Sequence, residues 1–241
     1  MSPLLQACLN GGRAGSFHPA VPLTPEALAR DAAAVAAAGA QALHGHPRDA
    51  DGVESLADGA MAASLAAIRA RAPGMPVGVS TGAWIAPGGR ARHAAIAGWR
   101  TRPDYVSVNL IEEDAPDIIA LVLERGIGVE AGLWSARDAE RFVKLPDARR
   151  CLRVLIEINE QSAASGEAAA LAIIAVLDRA AIRLPRLLHG LDATMWPMYR
   201  LALRLGLETR IGLEDGDRLP SGERAASNAA LIAAARALPP D

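Results

Sequence analysis

Five histidines and one lysine, Lys144, are all that this chain of 241 residues offers to imidazole and ε-amino chemistry. Lys144 stands in helix-like sequence away from every strand-like run, so Schiff-base or P-loop lysine chemistry has no well-placed candidate. Two histidines share the segment Ala42-Leu43-His44-Gly45-His46-Pro47-Arg48-Asp49. Residues i and i+2 of a strand point the same way, so both imidazoles face one side, with room left by Gly45. A single histidine at a strand end is more often structural or a general base, but two in this spacing suit a metal ion. A carboxylate to join them appears in Thr209-Arg210-Ile211-Gly212-Leu213-Glu214-Asp215-Gly216, where Arg210, Gly212 and Glu214 share parity and Asp215 begins a loop. By itself Glu214-Asp215 is an ordinary acidic turn. Beside the histidine pair it completes a His2Glu set with open positions, a pattern suited to catalytic Zn2+.

Those residues need elements to hold them. Apolar, β-branched-rich runs recur at Leu4–Asn10, Ala42–His46, Pro76–Thr81, Tyr105–Leu110, Gly128–Leu133, Arg153–Ile158, Arg186–Leu191 and Thr209–Glu214, eight in all. Each precedes a Gly/Pro/Asp-rich turn and an Ala/Leu/Arg-rich helical stretch. Thr24 before Pro25 reads as an N-cap with proline at the first helical position, and Gly39 closes that helix. Pro73-Gly74, Gly126 and Gly206 end others, while Ser135, Ser165 and Thr194 are placed to start three more. The alternation implies parallel strands joined by crossover helices. Eight units in 241 residues favour a closed (β/α)8 TIM barrel over an open doubly wound sheet, and no GxGxxG follows the first run. No linker-like stretch interrupts the chain, so residues 1–241 are expected to form one barrel domain with Leu238–Asp241 as a loose tail. Barrel chemistry sits at the C-terminal ends of the strands. The second and eighth strands flank the first, so at ~4.8 Å per strand His44, His46 and Glu214 can converge above it.

Other strand ends add polar groups: Ser80 and Thr81 on the third run, Ser107 and Asn109 on the fourth, Glu130 on the fifth. Each is weak alone, because Ser and Asn are common turn residues. After the first run, Gly11-Gly12-Arg13 and Phe17-His18-Pro19 form a loop that would cover the barrel mouth, where Arg13 could pair with a substrate carboxylate. His18 and His189 are possible neighbours of the site, and His93 falls on a helix surface. Trp84 and Trp134 follow the third and fifth runs and can wall a pocket; Trp99 and Trp196 read as packing.

Composition closes several doors. A net charge of −2 provides no basic patch for nucleic acid or a membrane surface. Cys8 and Cys151 form no CxxC, so neither a disulfide framework nor a thiolate zinc cluster is available. No run reaches the ~18 apolar residues of a membrane helix, and the N-terminus lacks a secretory pattern, so a cytoplasmic enzyme is expected.

The segments NGGR…HPAVPLTPEALA, HGHPRDADG, PVGVSTGAW, PDYVSVNL, GIGVEAGLW, RIGLED and SNAALIAAA, in this order, resemble the β-keto acid cleavage enzyme family across nearly the whole chain. That family's best-known activity is 3-keto-5-aminohexanoate cleavage. The resemblance implies a zinc-dependent TIM barrel, usually a homo-oligomer, that converts a β-keto acid and acetyl-CoA into acetoacetate and a new acyl-CoA. It implies zinc ligands at His44, His46 and Glu214 and a general base at Asp215. Arg210, Ser80 and Ser107 match supporting active-site positions; Asn109 and Glu130 fall in matching strand-end motifs, and Thr81 belongs to the GVSTG segment.

The implied chemistry is physically coherent. Zinc would polarise the substrate's oxygens and Asp215 would remove a proton between the two carbonyls. The enolate would attack the acetyl thioester and expel CoA, and that CoA would attack the remaining ketone, so that a retro-Claisen step separates the new acyl-CoA from acetoacetate. This sequence departs from the family pattern in having Ser107 where some members have Thr, and Arg13 where members acting on amino-substituted substrates have an acid. A guanidinium repels an ammonium, so a neutral or anionic β-keto acid is expected. Three alternatives share the fold: a metal-dependent hydrolase, a class II aldolase-like barrel, and a ligand-binding barrel without turnover. The first usually places HxH on strand one, whereas here it falls on the second run and no Lys or His ends runs four to six; the second needs a phosphate-holding loop, and no segment reads as one.

Overall fold

The computed structural model describes residues 3–85 and 87–238; the expected loose tail lies, beyond Leu238, outside the described residues. Its eight strands are β1 (Leu5–Cys8), β2 (Ala42–Gly45), β3 (Val77–Ser80), β4 (Tyr105–Asn109), β5 (Gly128–Leu133), β6 (Arg153–Ile158), β7 (Arg186–Gly190) and β8 (Glu208–Ile211). All pair in parallel and in chain order, and β8 returns to β1, closing a (β/α)8 TIM barrel. Register fixes which polar residues meet: Cys8 lies beside His44, Gln6 beside Arg210, Ser80 beside Ser107 and Glu157 beside His189.

The outer ring is α1 (Pro25–Ala37), α2 (Asp58–Arg71), α3 (Gly89–Ala97), α4 (Ala115–Glu124), α5 (Ala136–Phe142), α6 (Ala163–Arg179), α7 (Met195–Arg204) and α8 (Asn228–Ala237). Thr24 and Ser135 cap α1 and α5 through their hydroxyls as expected. Ser162, rather than Ser165, caps α6: its hydroxyl accepts the Ser165 N–H at 3.2 Å. Thr194 turns its hydroxyl to the Glu160 and Leu191 carbonyls, so α7 is entered through a 3-10 turn, Asp192–Thr194, without a side-chain cap. Lys144 lies in the turn just beyond α5, away from every strand end.

Outward-facing Leu5, Ala7, Val77, Val79, Val106, Val108, Val129, Ala131, Val154 and Ile156 are buried beneath the helices, which is why the strands read as continuous apolar runs. Inside, near the N-terminal end, a polar layer fills the barrel. Gln6 donates to the Tyr105 hydroxyl at 3.0 Å and to Glu130 at 2.8 Å, while Arg153 pairs with Glu130 and Glu208. Gly78 makes this layer possible, since a Cβ there would stand 1.9 Å from the Tyr105 ring. Among the described residues no helix is long and apolar enough to cross a membrane.

Strand β8 stops short of the run Thr209–Glu214. The Asp215 and Gly216 N–H groups both donate to the Gly212 carbonyl, so the chain turns immediately after Ile211. Glu214 therefore reaches the barrel mouth from a turn, not from strand parity.

Candidate active site

The end of β2 and the turn after β8 build the site from opposite sides of β1, with the loop after β1 between them. Asn10 accepts the His46 N–H at 2.8 Å and donates to the His46 carbonyl at 2.9 Å, holding the chain just past β2. Arg48 donates to the carbonyls of Gly11, Arg13 and Gly52, which ties the first loop to the second. Gly11 adopts φ +50, and a Cβ on it would lie 2.4 Å from Glu214 Cγ. Gly11 thus leaves the space that Glu214 occupies.

There His44 Nε2 and His46 Nε2 lie 3.2 Å apart, each 3.8 Å from a Glu214 carboxylate oxygen. On a tetrahedral zinc with Zn–N bonds of about 2.0 Å, ligand nitrogens stand roughly 3.3 Å apart. Among the described residues Glu214 Oε2 is buried without a hydrogen-bond partner, which suits an atom that ligates a cation. Burial, more than any neighbour, holds His44 well below the usual imidazole range; Glu214 opposes it, while Arg210, His46 and His189 act in the same direction as burial. A neutral imidazole with an available lone pair is what a metal needs. Donor types, spacing and the orphaned oxygen all fit zinc.

A cavity of about 300 Å³ opens above this cluster. Its walls include Arg13, Ser80, Ser107, Asn109 and Arg210, with Trp84 and Trp134 as aromatic walls. Asn109 is set by Glu112, which accepts from Asn109 Nδ2 and the Ala83 N–H and is itself held by buried Arg92 at 2.6 Å. Arg13 is pinned by Asp192 at 2.6 Å, by the Glu214 carbonyl at 3.1 Å and by the Phe17 ring 4.3 Å below its guanidinium.

Two expected substrate contacts fall elsewhere. Thr81 follows Ser80, so parity turns it out of the cavity; its hydroxyl donates to the Ser107 carbonyl at 2.7 Å. Glu130 has the inward parity but lies in the polar layer with Gln6 and Arg153, below the cavity floor. Burial, the largest influence on it, raises its carboxyl above the usual range despite Arg153 and Arg210. His18 is structural: its Nδ1 accepts the Ala20 N–H, which leaves Nε2 to donate to the Ala225 carbonyl. His93 stands apart from the site, 3.5 Å from Asp114.

Asp215 is fully buried beneath the cavity rather than lining it. Its carboxylate accepts from Cys8 Sγ at 2.9 Å, approaches His189 Nδ1 at 3.2 Å and lies 4.0 Å from Arg210 Nε. The other face of His189 meets Glu157 at 3.4 Å, and Glu157 does line the cavity. Burial opposes both charges, yet Asp215 and Glu157 raise His189 above its ordinary range, while His189 and Arg210 hold Glu157 below its own. Burial also pushes the Cys8 thiol well up, reinforced by Asp215. Cys8 is therefore a protonated donor here, not a nucleophile.

Glu157 and Glu54 are the carboxylates that the sequence reading missed. Glu157 was within reach, since Arg153, Leu155 and Glu157 share parity on β6. Glu54 sits 2.5 Å from His46 Nδ1, and only the path of the loop after β2 brings it there.

The fold, with a candidate metal cluster at the C-terminal mouth above β1, β2 and β8, is that of an α/β-barrel enzyme. More narrowly, the chain belongs to the β-keto acid cleavage enzyme family, which it matches over residues 4–239. It is 29% identical over 237 residues to a 3-oxoadipate:acetyl-CoA acetyltransferase of Cupriavidus necator, covering 92% of this chain and 82% of that one. Among solved structures it resembles ObcA in a binary complex with oxaloacetate (TM-score 0.69, 18% identity, 90% of this chain and 63% of ObcA). It also resembles the N-acetylmannosamine-6-phosphate 2-epimerase of Clostridium perfringens (TM-score 0.58, 12% identity, 88% and 87% of the two chains). At such identities these two likenesses speak to the barrel alone. This chain is thus shorter than ObcA and spans less than two thirds of it.

Proposed function

We propose that this protein is a zinc-dependent enzyme that condenses a β-keto acid with acetyl-CoA and releases acetoacetate and a new acyl-CoA. The observation that carries this most is the His44–His46–Glu214 cluster, with its orphaned carboxylate oxygen, at the mouth of a barrel of this family. Zinc held by those three residues would supply Lewis-acid polarisation of the keto and carboxylate oxygens, which acidifies the carbon between them.

The chain's own residues do the rest. Asp215, set beneath the cavity between Arg210 and His189, is the base in this reading and takes the proton from that carbon once its side chain turns up into the cavity. Ser80 and Ser107, adjacent across β3 and β4 on the cavity wall, donate to oxygens that gain negative charge as the acetyl thioester is attacked and the new carbon–carbon bond forms. Trp84 and Trp134 shield the carbanion from water.

Substrate charge is set at Arg13. Its pairing with Asp192 offsets its charge until a substrate carboxylate displaces or shares that partner. The Cupriavidus relative, by its name, acts on 3-oxoadipate, a dicarboxylic acid, which agrees with an anionic tail at this guanidinium. The test is a panel of β-keto acids with acetyl-CoA, read by the mass of the acyl-CoA formed. Dicarboxylic substrates are expected to exceed their amino-substituted analogues by roughly two- to fivefold in kcat/KM, about the strength of one partly exposed ion pair. Asp192→Asn should widen the gap and Arg13→Glu should close or reverse it. Equal kcat/KM across all tails, in native enzyme and variants, would contradict the role of Arg13.

A further inference from the structure

His44 and His46 present the same nitrogen, Nε2, to the cluster, but they are held differently from behind. His44 Nδ1 is buried and has no hydrogen-bond partner among the described residues. His46 Nδ1 meets the Glu54 carboxylate at 2.5 Å. Glu54 is delivered by a closely braced return of the loop after β2. Asp49 accepts the N–H groups of Asp51 and Val53, the Asp49 N–H donates to the Val53 carbonyl, and Ser55 N–H donates to the Pro47 carbonyl. Arg48 and Glu54 consequently pair as an antiparallel bridge, and Trp84 Nε1 approaches the same Glu54 oxygen at 3.4 Å.

We propose, on the zinc-site reading above, that Glu54 is a positioning residue for the metal. Its carboxylate accepts the His46 Nδ1 proton, fixes that ring as the Nδ1–H tautomer and leaves a lone pair on Nε2 aimed at His44 and Glu214. Two imidazole nitrogens 3.2 Å apart either share a proton or face a common cation. With the His46 proton committed to Glu54, any proton between the rings belongs to His44. Among the described residues no hydrogen-bond partner fixes the tautomer of His44, so it is the ring that can move that proton to Nδ1 when a cation enters. One ligand is thus pre-set and the other adaptable, through a residue eight positions from His46 that touches neither substrate nor metal.

The experiment measures the zinc dissociation constant of the full-length protein by competition with a chromophoric chelator, alongside long-range 1H–15N spectra of the imidazoles. Glu54→Gln is expected to weaken zinc 10–100-fold. It should also move His46 from a single Nδ1–H tautomer to a mixture, with the metal-free melting temperature close to that of the unaltered protein. Glu54→Asp, which keeps the charge, is expected to retain more affinity than Glu54→Gln. If His44→Ala loses zinc while Glu54→Gln and Glu54→Asp bind it as the unaltered protein does, the positioning role is overturned and the zinc site stands. Equal weakening by Gln and Asp marks simple packing and also overturns it. Should His44→Ala bind zinc as tightly as the unaltered protein, the zinc reading falls and Glu54 with it.

Discussion

Asp215 and Glu157 share one imidazole, and that sharing separates the proton acceptor from the cavity wall. Asp215 has Cys8, His189 and Arg210 around it and no open face to the cavity, whereas Glu157 faces the substrate space from β6. With Asp215 as the base, Asp215→Asn is expected to lower kcat by 10²–10⁴-fold while zinc content is retained, as measured by metal analysis of the same sample. Glu157→Gln is expected to cost less, because it leaves the base in place. If Glu157→Gln proves the more damaging, the cavity-facing carboxylate is the base and Asp215 only tunes it. At this scale the sequence was legible wherever period-2 alternation applies: His44, His46, Ser80, Ser107, Asn109 and Arg210 all reach the cavity. Parity gives the side of the sheet and not the height. Glu130 was therefore placed on the right face but in the wrong layer.

Elements hold these residues through a few buried joints, of which Asn228 is the clearest. From the first turn of α8 it donates to the Leu9 carbonyl at 2.8 Å and to Asp31 on α1 at 2.6 Å, and it accepts the Leu213 N–H at 2.7 Å. It thereby ties β1, the Glu214 turn and two helices together. Burial moves Asp31 from its ordinary 3.8 to about 6, against the opposing hydrogen bond from Asn228. A raised folded-state value means that the protonated form is favoured in the native protein. The stability it provides is full below pH 3.8 and is lost as pH rises through about 6. Asp31→Asn is accordingly expected to stabilise the protein by roughly 1–3 kcal/mol above that window and by little below it, as read by melting temperatures at both ends. A variant less stable at neutral pH would contradict this. The helix pattern was readable from caps and glycines. The shift of the α6 cap from Ser165 to Ser162 was not, because Gln161-Ser162-Ala163-Ala164-Ser165 offers two hydroxyls and only the arrival from β6 chooses between them.

At the scale of the molecule, the eight apolar runs became eight strands because each is buried under helices on its outer face. Glu54 was illegible for the converse reason, since its place depends on how an irregular loop returns. A barrel that closes a metal site from β2 and the β8 turn should be stabilised as a whole by that metal. Returning zinc at 100 times its dissociation constant to chelator-stripped protein corresponds to about 2.7 kcal/mol and a rise of roughly 5–10 °C in melting temperature. An unchanged melting curve would argue against the site. The central claim concerns which carbons exchange, and acetyl-CoA labelled with 13C in both acetyl carbons tests it most directly. Condensation followed by retro-Claisen cleavage places both labels in carbons 3 and 4 of acetoacetate and leaves the new acyl-CoA unlabelled. Unlabelled acetoacetate, or cleavage of the β-keto acid that proceeds without acetyl-CoA, would contradict the account.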